Sequence, residues 1–62
     1  MYIIIVCRVG GCVSSVPYGN YDDAWGYYNA VKKERPIWVE MRYGDEYTDH
    51  GTNTVAYYRR ED

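Results

Sequence analysis

Phenylalanine and leucine, two side chains that commonly fill protein cores, are both absent from this chain of 62 residues. The chain uses nine tyrosines and two tryptophans in their place. Tyrosine buries a large ring at low entropy cost while its hydroxyl tolerates water, so it suits half-buried surfaces and binding faces. Two interpretations stay open: a binding surface, or a thin domain whose half-exposed aromatic residues keep it soluble.

The chain also lacks an excess of positive charge and any long apolar run. Its net charge of −2 argues against a general nucleic-acid binder, which is normally basic. The longest apolar run, Tyr2 to Cys7, is far too short to span a bilayer. No basic stretch precedes this run and no cleavage site follows it, so we interpret it as a strand rather than a signal peptide. We therefore expect a cytoplasmic protein without a membrane partner.

Cysteine is scarce as well, with only Cys7 and Cys12. A hairpin turn at Gly10-Gly11 places Val9 opposite Cys12, which makes the two cysteines diagonal neighbours roughly 7–8 Å apart. Because that distance is at the limit for a relaxed disulfide, we expect buried free thiols and a reducing cytosol. Two cysteines are too few for a structural zinc site, and we expect no metal and no cofactor.

The pattern of the chain predicts one domain over residues 1–62 with the element order β-β-α-β-β. Four β-branched, aromatic or alternating segments predict strands, and a segment with helical periodicity predicts one helix. The strands are predicted near 2–9, 12–17, 37–43 and 54–59, the helix near 21–35, and a long polar loop at 44–53. The fold class is α+β, with a four-stranded, mainly antiparallel sheet and the helix packed on one face.

The helix has a clear start, an apolar stripe and a clear stop. Asn20 is a predicted N-cap, and Pro36 prevents continuation past Arg35. The stripe consists of Tyr21, Ala24, Trp25, Tyr28 and Val31. We expect this stripe to meet the sheet face formed by Ile3, Ile5, Cys7, Val9, Cys12, Val16, Ile37, Val39 and Met41.

That arrangement leaves a second apolar face of the sheet without a helix. Its predicted members are Tyr2, Ile4, Val6, Val13 and Trp38. Exposed contiguous apolar patches usually mark an interface. Three alternatives stay open: a homodimer seam, a surface for a different protein, or a face covered by the long loop and the C-terminal tail.

The residues that could carry catalysis lie in the polar loop. His50 has Asp45, Glu46 and Asp49 near it, which could in principle form a cation site or a general base with an orienting carboxylate. The spacing matches no calcium loop, and no nucleophile accompanies the histidine. We interpret the segment as a solvated loop and expect no enzymatic activity.

The end of the last strand favours an alternative function. Tyr57-Tyr58-Arg59-Arg60 combines aromatic rings with guanidinium groups, the combination that binds single-stranded nucleic acid on sheet surfaces. A small nucleic-acid-binding protein is therefore the alternative prediction, and a homodimeric structural protein is a third.

In its size, acidity, aromatic richness, β-β-α-β-β order and lack of a catalytic motif, the chain resembles the short bacteriophage proteins that inhibit host factors, including anti-CRISPR and other anti-defence inhibitors. The resemblance implies a phage-type inhibitor or regulator that binds a host protein stoichiometrically. We expect aromatic anchors and an acidic loop that steers the partner. The predicted partner-binding residues are Trp38, Tyr47, Tyr57, Tyr58, Asp45, Glu46 and Asp49.

Overall fold

A four-stranded sheet and one helix form the fold of this chain. The structure, a computed structural model, describes residues 1–44 and 53–61. The elements are β1 (Tyr2–Arg8), β2 (Gly11–Ser14), α1 (Tyr21–Lys32), β3 (Trp38–Tyr43) and β4 (Asn53–Arg59). The strands lie in the order β2-β1-β3-β4, and each neighbouring pair is antiparallel. The predicted α+β fold and its element order are confirmed.

The hydrophobic core lies between α1 and one face of the sheet. β1 is a central strand, as its β-branched sequence indicates, and it pairs with both β2 and β3. Val6 is opposite Val39 and Ile4 is opposite Met41, so these four side chains share the helix-facing side. The core cluster consists of Ile4, Val6, Ala24, Tyr28, Val31, Val39 and Met41. Each large side chain removed from water here contributes about 1.5–3 kcal/mol.

The prediction of which β1 face meets the helix was wrong. Ile4 and Val6 lie under α1, whereas Val9 and Val16, two members of the predicted core face, are 90% and 70% exposed. Because β1 is apolar on both faces, alternation within it cannot choose between them. The pairing with β3 determines the face: Val39 and Met41 face the helix as predicted, and the register places Val6 and Ile4 beside them.

The same finding overturns the predicted dimer face. Tyr2 packs against the core, and Ile4 and Val6 are buried in it. Val13 is 62% exposed on β2, while Trp38 is opposite Cys7 and therefore on the other side of the sheet. These five residues do not form one exposed surface, so a homodimer seam on that face has no basis.

The β1–β2 hairpin also differs from its prediction. Cys7 is opposite Cys12 and Arg8 is opposite Gly11, which leaves Val9 and Gly10 as the two-residue loop. Gly11 belongs to β2 and has a φ of +137°, a backbone angle that residues with a Cβ rarely adopt. This register places the cysteines directly across from each other, and they form a disulfide rather than the expected free thiols.

The helix begins as predicted and ends earlier. The Asn20 side chain accepts a hydrogen bond of 2.8 Å from the backbone N–H of Asp23, which satisfies one of the unpaired donors of the first turn. The last helical residue is Lys32, and Lys33 caps the helix. Arg35 has a φ of +53°, the left-handed conformation that ends many helices, and Pro36 follows it.

Candidate functional site

The side of the sheet opposite α1, here called the open face, carries the candidate functional site. The strand registers place residues from all four strands on it. They are Ile5, Cys7, Cys12, Ser14, Trp38, Glu40, Arg42, Thr54, Tyr57 and Arg59. Ile3 is on the same side, beside Arg42, but only 3% of it is exposed.

An aromatic pair lies on the part of the open face formed by β3 and the edge strand β4. The rings of Trp38 and Tyr57 are stacked, with centroids 5.1 Å apart and planes inclined by 17°. Glu40 is opposite Tyr57, so Tyr57 is a diagonal neighbour of Trp38 across the β3–β4 pair. Tyr57 is 63% exposed, while Trp38 is half-buried. The pair therefore presents a large, fixed aromatic surface to solvent.

A buried carboxylate holds this aromatic pair in place. Glu40 is only 8% exposed, and its Oε1 accepts a hydrogen bond of 3.2 Å from Trp38 Nε1. Its Oε2 accepts hydrogen bonds from Arg42 Nε at 2.9 Å and from Thr54 Oγ1 at 2.5 Å. Three donors from two strands converge on one side chain, which orients the indole of Trp38 and links β3 to β4.

The surroundings of Glu40 also determine its pKa. Burial is the largest single influence and raises the pKa of this carboxyl. The hydrogen bonds from Thr54, Arg42 and Trp38, together with the charge of Arg42, oppose it and prevail. The pKa of Glu40 therefore lies below its ordinary value, and the group is an anion at neutral pH.

Among the residues that the structure describes, the exposed charge on the open face is positive. Arg42, whose side chain is 42% exposed, forms an ion pair with Glu40. Arg59 is exposed and is directly opposite Trp38 at the end of β4. Because the carboxylate is buried and both guanidinium groups reach solvent, a partner meets aromatic rings flanked by arginines.

The structure brings together only some of the predicted site residues. Trp38 and Tyr57 are adjacent on the open face, whereas Tyr58 is opposite Val39 and packs against the core on the helix side. Tyr58 is half-buried on the helix side, so it does not share a surface with Trp38 and Tyr57. The other predicted residues, Tyr47, Asp45, Glu46 and Asp49, and the neighbouring His50, lie outside the described residues.

The predicted partner-binding residues did not include Glu40, Arg42 or Thr54. A signal for the first two was present, because Trp38, Glu40 and Arg42 are two residues apart and must share one face of β3. Thr54 could not be added from the sequence, since its place depends on an irregularity in the β3–β4 register after Met41.

A second group of aromatic rings runs along the helix side of the molecule. Tyr43, Tyr2, Tyr21, Trp25 and Tyr28 follow one another with successive centroid distances of 4.7, 5.8, 5.7 and 5.2 Å. Most of this row covers the core edge, and Tyr28 itself is buried. These contacts explain much of the tyrosine content, because half-exposed rings complete a core that has no leucine or phenylalanine.

In the described part of the chain, no group of three histidine, cysteine or acidic side chains could hold a metal ion. Nor does any helix there have the length and apolar character to cross a membrane. No protein-family model, curated protein or solved structure matches this chain.

Proposed function

We propose that this chain is a non-catalytic protein-binding module whose open face binds the partner. The Trp38–Tyr57 stack, held by buried Glu40, is the observation that supports this proposal most directly. Aromatic side chains dominate the energetics of many protein interfaces. A ring that is already fixed before binding loses little conformational entropy on association, which favours affinity.

The partner in this proposal is a host protein, bound stoichiometrically by a phage-type inhibitor or regulator. The resemblance of the chain to short phage inhibitors supports that choice. Tyr47 and the acidic residues Asp45, Glu46 and Asp49 would steer and register the partner, and their part in the proposal comes from the sequence alone. The host cytosol stays the proposed location, although the disulfide removes the argument that free thiols gave for it.

The proposal is tested by comparing two exposed tyrosines on opposite sides of the molecule. Tyr57→Ala removes the exposed ring of the open face, while Tyr27→Ala removes a 39% exposed ring of the helix. Tagged wild type and both variants are used to retrieve proteins from nuclease-treated bacterial lysate, and the recovered protein is then purified. Its dissociation constant is measured for all three forms by isothermal titration calorimetry.

We expect a partner bound near one-to-one by the wild type and by Tyr27→Ala. Tyr57→Ala should bind it at least about tenfold more weakly, the loss expected when an aromatic hot-spot residue is truncated. Circular dichroism and thermal unfolding establish that both variants are folded. Equal affinity of folded Tyr57→Ala and wild type would exclude the open face as the binding surface.

A second candidate function has its own observation. Arg59 is directly opposite Trp38, Arg42 is beside Glu40, and Tyr57 is largely exposed, so aromatic and cationic groups alternate across the open face. Single-stranded nucleic acid binds such surfaces by stacking of bases and by phosphate contacts. Tyr58 no longer belongs to this alternative, because it packs against the core.

Salt dependence separates the two candidates. Affinity for a fluorescent single-stranded oligonucleotide should fall steeply with salt if Arg42 and Arg59 contact phosphates, with a logarithmic slope of about −0.7 per contact. A protein interface centred on Trp38 and Tyr57 should change much less over the same range. Binding of the oligonucleotide that is abolished by Tyr57→Ala and by Arg59→Gln would favour the nucleic-acid function.

A further inference from the structure

The outer edge of β4 is a row of backbone groups that no described strand pairs with. In the order β2-β1-β3-β4, both β2 and β4 are edge strands. β2 has only four residues and Pro17 follows shortly after it, and short strands and prolines are common protection against further pairing at a sheet edge. β4 has seven residues and no proline. The irregularity in its pairing lies towards Asn53, so the end near Arg59 is a regular strand that can accept another.

The hydrogen bonding between β3 and β4 determines which backbone groups point outward. The Arg60 N–H donates to Ile37 O at 3.1 Å, which continues the β3–β4 register by one position. In an antiparallel pair, residues that bond to the neighbouring strand alternate with residues whose N–H and C=O groups point away from it. Tyr58 therefore bonds to β3, whereas Tyr57 and Arg59 direct their backbone groups towards the outer edge.

A second copy of β4 fits this edge in the antiparallel orientation. A twofold axis at Tyr58 places Tyr57 opposite Arg59 of the second copy, and the same pair repeats on the other side of the axis. Both members of each pair have outward N–H and C=O groups, so each pair exchanges both of its backbone hydrogen bonds. No other register is needed to use all the outward groups at this end of the strand.

The side chains of β4 are compatible with the same register. On the open face, the exposed ring of Tyr57 lies beside the guanidinium of Arg59 of the second copy, a favourable cation–π combination. On the helix side, the two half-buried Tyr58 rings face each other. Arg60 is opposite Ala56, so no two like charges are directly opposite. The strand is therefore complementary to itself.

The position of the helix leaves room for this pairing. α1 packs on β1 and β3, so it does not cover the outer edge of β4. A twofold axis perpendicular to the sheet places both helices on one side and both open faces on the other. Association also suits a chain of 62 residues, because a core of that size supplies little stability by itself.

We propose that two copies of this chain form a dimer by antiparallel pairing of their β4 strands, which joins the two sheets into one. The occupant of the edge is a second copy because β4 is complementary to itself. The proposed protein-binding function is not needed for this inference, since the paired groups lie on the strand edge rather than on the open face.

The experiment measures the mass of the whole chain by sedimentation equilibrium over a wide range of concentration, without reductant. Arg59→Pro removes the outward N–H, a change that an edge strand tolerates because that group has no partner within the sheet. Arg59→Ala is the matched control: both variants lack the guanidinium, and only the proline variant lacks the N–H. Circular dichroism establishes whether both are folded.

We expect the mass of the wild type to rise with concentration from that of one chain towards that of two. Arg59→Pro should dimerise at least about tenfold more weakly than Arg59→Ala. The reason is that the dimer loses the same donor from both copies, and the carbonyls facing it are left without a partner.

Amide hydrogen exchange, followed by NMR, gives a second readout that needs no substitution. In dilute protein the amides of Tyr57 and Arg59 should exchange fast, while that of Tyr58 is protected by its bond to β3. In concentrated protein the amides of Tyr57 and Arg59 should become protected as well. This measurement decides the proposal if Arg59→Pro does not fold.

Three results would overturn the proposal. The first is the mass of one chain at every concentration, which would leave the edge to a segment of another protein or to none. The second is a dimer in which the amides of Tyr57 and Arg59 stay unprotected, because another surface would then join the copies. The third is an equal dimerisation constant for folded Arg59→Pro and Arg59→Ala.

Discussion

Trp38 donates its indole N–H to Glu40, a residue two positions further along the same strand, at 3.2 Å. Residues with that spacing project from the same face of a strand, so the sequence itself places the ring beside the carboxylate. Glu40 also accepts hydrogen bonds from Arg42 and Thr54, so both oxygens of its carboxylate have donors. It is the only carboxylate that is buried in the described residues. The indole of Trp38 is oriented by a network that forms on folding.

Replacing Glu40 with glutamine should show how much this network contributes. Glu40→Gln keeps the shape of the side chain, but its amide cannot accept hydrogen bonds at both ends, so at least one donor loses its partner. We expect a loss of about 1–2 kcal/mol in the free energy of unfolding at neutral pH, measured by urea denaturation. Trp38 fluorescence should shift as well, because its N–H partner changes.

The pH dependence of stability gives a second readout from the same variant. The folded-state pKa of Glu40 lies below its ordinary value of 4.5, so the anion contributes stability that is present above that pH. This contribution is lost as the pH falls through the lower folded-state pKa. The wild type should therefore lose more stability than Glu40→Gln between neutral pH and roughly pH 3. Parallel pH profiles for the two proteins would contradict the assigned role of Glu40.

Two neighbouring isoleucines test which face of β1 is the core. Ile4 is 0% exposed beneath α1, whereas Ile5 is half-buried on the open face. Ile4→Ala should lower the free energy of unfolding by about 2–5 kcal/mol, the usual cost of a cavity in a core. Ile5→Ala removes the same atoms from a partly solvated site and should cost clearly less. Equal losses in urea denaturation would be incompatible with the helix lying on the Ile4 face.

The wrong prediction for this face has a definite physical origin. The β-β-α-β-β order could be predicted because each element carries local signals, such as the Asn20 cap, the Pro36 stop and the alternation of β3. Which face of β1 meets the helix is not a local property, since Ile3, Ile4, Ile5 and Val6 are apolar on both sides. It depends on the register between β1 and β3, which brings Val39 beside Val6.

In the candidate site, too, some residues could be predicted from local sequence, whereas the placement of others depends on strand pairing. Trp38 could be chosen from the sequence because it is an aromatic residue on the otherwise polar side of an alternating strand. Tyr57 could be chosen because it lies in an aromatic strand that ends in arginines. The side of the sheet on which Tyr58 lies could not be predicted, since adjacent residues of β4 point to opposite faces and only the pairing with Val39 shows which one faces the helix.

The backbone of Arg35 predicts that glycine is the more stable residue there. A side chain in the left-handed conformation is strained, and glycine removes that strain. Part of the gain is offset, because a chain with glycine loses more conformational entropy when it folds. We expect Arg35→Gly to gain about 0.5–1 kcal/mol, which in a domain of this size raises the melting temperature by roughly 2–8 °C. Arg35→Ala is the control, because it removes the guanidinium but keeps the Cβ. An equal melting temperature for the two variants would mean that the strain is absent.

The disulfide between Cys7 and Cys12 predicts a loss of stability on reduction. It closes a short loop with a sequence separation of 5, and constraining such a loop in the unfolded chain is worth about 2 kcal/mol. The double variant Cys7→Ser/Cys12→Ser should unfold at a correspondingly lower urea concentration. Reductant should destabilise the wild type to a similar degree and leave the double variant unchanged.

Trp38 provides a local probe of the same bond, because Cys7 is directly opposite it on the open face. Disulfides quench nearby indoles, so reduction under native conditions should raise the emission of Trp38. The reference is a Trp38→Tyr variant, whose single remaining tryptophan is Trp25 on the helix. Thiol alkylation followed by intact mass measurement supplies the decisive comparison. Two labels added without any reductant would show that the thiols are free and would contradict the disulfide.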